Sequence, residues 1–218
     1  SRNLKSLDAN LVNQVKIDLD KTYKVKDFYY ENNGKIINAI FEDTNLITNE
    51  FFNEKINFLS LTNSEIKSGF SSKKKFIKLS GKYSVNKSDF LFYDLENIFE
   101  NQSLNFKINC DFDRSLNLGI INYQKPKDEN AKIYLDLDKK KNEIKINEFN
   151  YEEGKNLISL KNLKFIKNNF YSIEKIKVLT YEKGKKNNDF IIFYDKKILI
   201  EGMQYDATNL PKYFNEKS

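Results

Sequence analysis

Histidine and tryptophan are absent from this chain, and cysteine and methionine occur once each. Without histidine the usual general base and the commonest metal ligand are gone. The lone Cys110 excludes an internal disulfide. It sits in the alternating run Leu104, Phe106, Ile108, Cys110, Phe112, where it reads as a small buried hydrophobe. Two prolines and seven glycines are too few for a collagen-like or low-complexity chain. No apolar run approaches the roughly 20 residues that a membrane-spanning helix needs. The first residues carry no signal-peptide pattern, so any membrane anchor is expected outside this chain. Gly-rich phosphate loops and nucleophile elbows are also missing. No catalytic residue, metal ligand or cofactor is implied, and the chain does not read as an enzyme.

Arginine is scarce as well. The basic residues are lysines apart from Arg2 and Arg114, although the net charge is +6. Bidentate readout of phosphate and guanine favours arginine. The lysines alternate with Asp, Glu and Asn on strand positions, as a solvated face requires. Nucleic acid is therefore not an expected partner. A single-strand binder using lysines with stacked Tyr and Phe is the weaker competing reading. The carboxylate pairs Asp18/Asp20, Asp111/Asp113 and Asp136/Asp138 each share one strand face. Apolar residues hold the other face, so these pairs are expected to face water.

What is abundant is aromatic and β-branched sequence, with 18 Phe and 13 Tyr in 218 residues. Polar turn clusters recur every 8–12 residues or so, an all-β signature with short, mostly antiparallel connections. Strands are expected around Val15–Asp20, Tyr23–Tyr30, Lys35–Phe41, Ile56–Leu61, Glu65–Phe70, Phe76–Val85 and Phe90–Tyr93. Further strands are expected at Ser103–Phe112, Leu116–Tyr123, Ala131–Leu137, Glu143–Tyr151, Leu157–Leu160, Leu163–Ile166 and Tyr171–Tyr181. Asn32-Asn33-Gly34 and Thr62-Asn63-Ser64 read as turns, and Gly81 as a bulge or bend. Leu95, Ile98 and Phe99 fit one face of a short helix over 94–102. Asn45–Phe52 reads as a loop or one helical turn. The tail Phe190–Phe214 reads as a hairpin about Asp195-Lys196-Lys197. A capped helical segment with Asp206 or Thr208 at its start follows.

That tail carries Ile200-Glu201-Gly202 and Tyr205-Asp206-Ala207, then Leu210 and Phe214. Upstream, Ile121-Asn122-Tyr123-Gln124-Lys125-Pro126 leads into Ala131–Leu137. These stretches resemble the central repeat region of the AsmA-like bacterial envelope proteins, in particular the YhdP-type, TamB-related members. The resemblance covers roughly the second half of the chain, with weaker support from Gly81–Tyr93. It implies a periplasmic segment of a lipid-transfer bridge, 1–218 being one β-rich domain and a fragment of a longer protein. It also implies that phospholipid acyl chains are the partners, and that inner and outer membranes are reached through regions outside this chain.

The fold expected is all-β: a long, twisted, mostly antiparallel sheet curled into an open, taco-like groove, with one or two short helices. Almost no helix is available to cover a second face, so a single sheet must hide its apolar side by folding on itself. Phe106, Ile108, Phe112, Ile133, Leu135, Leu137, Ile144, Ile146, Ile158, Leu160, Ile176 and Val178 would line that side. The alternative is that the same residues form the dry core of a closed β-sandwich, a surface or adhesive domain that binds proteins.

Overall fold

The structure, a computed structural model, describes residues 2–43, 55–127, 129–195 and 197–209. Five strands come first: β1 (Arg2–Leu19), β2 (Val25–Asp43), β3 (Phe58–Ser71), β4 (Lys74–Val85) and β5 (Leu91–Glu100). Then follow β6 (Ser103–Phe112), β7 (Leu116–Leu118), a 3₁₀ turn (Gly119–Ile121), β8 (Tyr123–Lys125) and β9 (Ala131–Lys140). The last are β10 (Glu143–Glu153), β11 (Asn156–Ile166), β12 (Asn169–Ser172), β13 (Lys175–Glu182), β14 (Lys185–Asp195) and β15 (Lys197–Gln204). Thirteen strands share one sheet in the order β1-β2-β3-β4-β5-β6-β9-β10-β11-β13-β14-β15, with β12 on β11. Its two ends do not meet, so the sheet is not closed into a barrel. Strands β7 and β8 pair only with each other.

The all-β, antiparallel expectation holds, and the order of the sheet follows the chain because short turns can only join neighbours. The single 3₁₀ turn is the one helical piece among the described residues. The stretch 94–102 is not helical: Asp94 to Glu100 pair with both β4 and β6. Leu95 and Phe99 share a face with Asn97, and Ile98 lies on the other face with Glu96 and Glu100. Three apolar residues at mixed spacing fit either period, and pairing on both sides decides for the strand. Asn45–Phe52 and the helical end of the tail lie outside the described residues. Asp206, expected at its start, accepts from the Thr208 amide at 3.0 Å.

The turn expected at Asn32-Asn33-Gly34 is the middle of β2. Gly34 is there for close approach, not for a turn: a Cβ would lie 2.0 Å from the Asn10 carbonyl oxygen. The turn expected at Thr62-Asn63-Ser64 lies inside β3. Asn63 has φ 47, and β3 carries Asn63 and Ser64 where β4 carries only Gly81. Ile37 is likewise extra in β2, because β1 pairs Asp8 with Asn38 and then Ala9 with Ile36. Between β2 and β3 the register never shifts, so Ile37 and Asn63 face each other. One added residue per strand moves the alternation by one step on both together. Buried positions accordingly fall three apart, at Ile36 and Ala39 and at Leu61 and Ser64, while Ile37 is exposed.

Asn162 likewise has a positive φ, 49, inside β11, with Asn147 opposite it between the pairs Ile146–Leu163 and Glu148–Lys161. Leu157–Leu160 and Leu163–Ile166 are thus one strand, not two. The strand expected over Leu116–Tyr123 is broken by the 3₁₀ turn, and that over Tyr171–Tyr181 divides into β12 and β13.

The Cα positions cluster in two compact units. The first holds β1 to β5, β6 as far as Cys110, and Leu137–Asn142, the end of β9 and the turn after it. The second holds Asp111–Asp136 and the chain from Glu143 onward. Each has its own apolar cluster. Ile36, Ala39, Leu61 and Tyr93 centre the first, with Leu79, Leu95 and Cys110 packed on it. Phe112, Ile121, Tyr123, Ala131, Tyr151, Val178 and Phe190 make the second.

Candidate functional site: an apolar sheet face

In the first unit, cross-strand registers assemble rows of residues that share one face. Leu11, Gly34, Ile66, Leu79, Leu95 and Ile108 form one row. Val15, Tyr30, Phe70, Lys75, Phe99 and Leu104 form another. Between them runs a mixed row of Asn13, Asn32, Ser68, Ile77, Asn97 and Phe106. Asn13 Oδ1 there accepts from Tyr30 OH at 2.5 Å and from Asn32 Nδ2 at 2.7 Å. Phe70 packs against Phe28 and Tyr30.

This face stays open to solvent at Val15 (62%), Ile17 (57%), Phe28 (39%), Phe70 (40%) and Phe99 (44%). The other side of the same strands is charged. Lys78 pairs with Glu96 at 2.7 Å, Lys67 with Glu31 at 3.1 Å and Lys74 with Glu100 at 3.6 Å. Tyr29, Asn33 and Lys67, in that order, hold the Glu31 carboxyl down to about 2. A depression of about 600 Å³ has Asn33, Lys35, Glu65, Lys67, Lys78, Asp94 and Glu96 in its lining. Their strand parity places these side chains on the charged side, away from the apolar rows.

The floor between Ser64 and Tyr93 is made by Gly81. Ser64 is fully buried and Tyr93 nearly so. Tyr93 OH donates to Ser64 Oγ at 3.0 Å, and Ser64 Oγ donates to the Thr62 carbonyl at 3.1 Å. Thr62 Oγ1 donates to the Ile37 carbonyl at 2.9 Å. Side chains thus satisfy backbone and buried groups where the ladder is interrupted. The bulge expected about Gly81 is real, but the added residue lies in β3.

The second unit differs, because its apolar side is covered by the β7–3₁₀–β8 excursion. Leu116, Leu118, Ile121 and Tyr123 pack onto Phe112, Ala131, Tyr151, Val178 and Phe190. A polar clasp holds this cover. The fully buried Asn188 donates to the Ile121 carbonyl at 2.7 Å and accepts from the Asp206 amide at 2.9 Å. Asn187 Nδ2 donates to the Asn122 carbonyl at 3.1 Å, Asn122 Nδ2 to Asp206 Oδ2 at 2.8 Å, and Tyr205 OH to the Ile120 carbonyl at 3.0 Å. The Asn122 and Thr208 hydrogen bonds hold Asp206 below the usual aspartate range. The two stretches that carried the family resemblance are therefore joined to each other through Asn122, Tyr205 and Asp206. Asn187 and Asn188, which complete the clasp, gave no sequence signal beyond being polar in an apolar strand.

Nearby, Tyr123 OH lies 2.7 Å from Tyr151 OH and donates to Glu153 at 2.8 Å. Burial foremost pushes both phenols well above the ordinary tyrosine range. Tyr123 and Glu153 border a depression of about 420 Å³ lined also by Asn156, Tyr181, Glu182 and Lys183. Lys125 is buried, with Nζ donating to the Pro126 carbonyl at 2.9 Å and lying over the Phe112 ring.

Of the residues expected to line a groove, Phe106 and Ile108 belong to the open face of the first unit. Leu137 is also in that unit. Phe112, Ile133, Ile158, Ile176 and Val178 belong to the covered cluster of the second. Ile144 and Ile146 pair with Phe165 and Leu163, and Leu160 with Phe149. Leu135 is half-buried in β9. Phe112 and Val178 are buried and the others half-buried. Sequence reasoning misses most of the open rows, because its alternation begins β1 only at Val15 and its turn at Asn32-Asn33-Gly34 divides β2.

Among the carboxylate pairs, Asp18 and Asp20 face water, and Asp20 caps the turn by accepting from the Thr22 and Lys24 amides. Asp111, Asp113, Asp136 and Asp138 do not: they are half-buried. Asp136 accepts from Asn147 at 3.3 Å and Asp138 from Asn105 at 3.0 Å. Neighbouring strands carry amides at those positions, which alternation alone does not reveal. Comparison with known protein families, curated proteins and solved structures finds no match.

Proposed function

We propose that the chain shields phospholipid acyl chains on its apolar sheet face, as a periplasmic segment of an AsmA-like lipid-transfer bridge. The supporting observation is the run of apolar rows in the first unit, exposed from Val15 and Ile17 to Phe99. An acyl chain laid on such rows gains about 0.8 kcal/mol per buried CH₂. The charged reverse side keeps the sheet in water. The purified chain is expected to carry phospholipid detectable by mass spectrometry and to take up a fluorescent acyl probe. A lipid-free preparation that also ignores the probe rejects the proposal.

A second reading, a protein-binding surface domain with a dry core, draws on the covered cluster of the second unit. It expects no probe uptake by either unit. A nucleic-acid reading gains little from the lysines, since Lys67, Lys74 and Lys78 are paired with glutamates.

A further inference from the structure

Strand β1 ends the sheet, and its outer edge carries 18 residues of backbone with no strand beside it among the described residues. Long, exposed, apolar edges are templates for strand addition. Val12 is 68% exposed, Val15 62% and Ile17 57%. No bulge interrupts the alternation of β1 from Ser6 to Asp18, because the register shift at Asp8 comes from the extra Ile37 in β2.

We propose that β1 pairs with β1 of a second copy of this chain, antiparallel, with Val12 opposite its own counterpart. Apart from Leu11, which falls opposite Asn13, β1 from Leu7 to Ile17 is complementary to its own reversal about that residue. Leu7 then falls opposite Ile17 and Ala9 opposite Val15, on the apolar face. Asp8 falls opposite Lys16 on the polar face, and Asn10 opposite Gln14. Each pair occurs twice, as an isologous interface requires. Like faces meet like, so the apolar side of one copy continues into that of the other. Cross-strand apolar and opposite-charge pairs are the unit of sheet stabilisation, and backbone hydrogen bonds along the edge supply the rest.

The test is the association state of the full 218-residue chain, by sedimentation, with charge-exchanged variants. The chain is expected to dimerise. Lys16→Glu sets Glu against Asp8, and Asp8→Lys sets Lys against Lys16, so each variant alone weakens the dimer about tenfold. Mixing the two variants restores association, because both pairs in the mixed dimer are again of opposite charge. Both positions are exposed, so folding survives either change, as circular dichroism checks. Val12→Cys is expected to form an intermolecular disulfide on mild oxidation. Lys16→Cys is not, since the two copies of residue 16 stand eight positions apart along the paired strands, about 27 Å. A chain that stays monomeric, or dimerises with no response to the charge exchange, overturns the proposal. So does equal cross-linking at the two positions.

Discussion

Tyr93 reaches across Gly81 to place its hydroxyl 3.0 Å from Ser64 Oγ, and Gly81 has no side chain because Ser64 occupies the space. A Cβ at Gly81 would lie 2.3 Å from Ser64 Oγ and 2.5 Å from Ser64 Cα. Gly81→Ala is therefore expected to destabilise by about 1–3 kcal/mol through overpacking. Tyr93→Phe removes one buried hydrogen bond and costs about 1 kcal/mol. Urea unfolding monitored by circular dichroism measures both. Because the two changes meet at one contact, their costs are expected not to add.

Asn63 tests the paired kink. Its φ is 47, a conformation that costs a β-branched residue about 1–2 kcal/mol. Asn63→Gly is expected to leave the unfolding midpoint close to its original value, and Asn63→Val to lower it. Equal effects would mean that the kink is not what Asn63 supplies.

The two units should respond oppositely to a buried charge on their apolar sides. Phe99 is 44% exposed and Val178 only 4%. Phe99→Asp is expected to leave the fold intact and reduce acyl-probe uptake. Val178→Asp is expected to unfold the second unit, since an isolated carboxylate in an apolar cluster costs several kcal/mol. Probe titration and thermal unfolding of each variant separate the two outcomes.

Two titrations bear on stability at opposite ends of the pH scale. Tyr123 and Tyr151 lose their protons less readily when folded, so the folded state binds protons that the unfolded chain releases. That stabilisation is complete below the unfolded tyrosine value of about 10 and is lost as pH rises above it. Tyr123→Phe is expected to flatten the alkaline limb of the urea midpoint. Glu31 works the other way, with its folded value lowered to about 2. Its contribution is present above the unfolded glutamate range, about 4.3, and fades as pH falls toward the folded value. Carbon-detected NMR titration of its carboxyl is expected to show the low midpoint, and Tyr29→Phe to raise it.

The hairpins and the antiparallel order were legible in the sequence because they rest on local turn chemistry. Ser103–Phe112 was legible to the residue because its alternation is unbroken. The interiors of β2, β3 and β11 were not. Asn63 and Asn162 carry the residue type and the backbone conformation of a turn, yet strands on both sides hold the chain straight. Local signals cannot tell a reversal from a one-residue phase step, since both ask for φ above zero. The open face was obscured for the same reason. Once β2 is cut at Gly34, the rows linking Leu11, Ile66 and Leu95 vanish from view. The clasp of Asn122, Asn188 and Asp206 depends on positions up to 84 residues apart, which no window along the chain brings together.

The facing residues Ile37 and Asn63 carry a further consequence for how this chain tolerates change in length. A codon gained by one strand alone would have to be bulged out against the neighbour on each side. Gained by two adjoining strands at the same level, it is absorbed, and the next ribs out keep their original orientation. Insertions and deletions in this architecture are thus expected to survive as matched couples across a single seam.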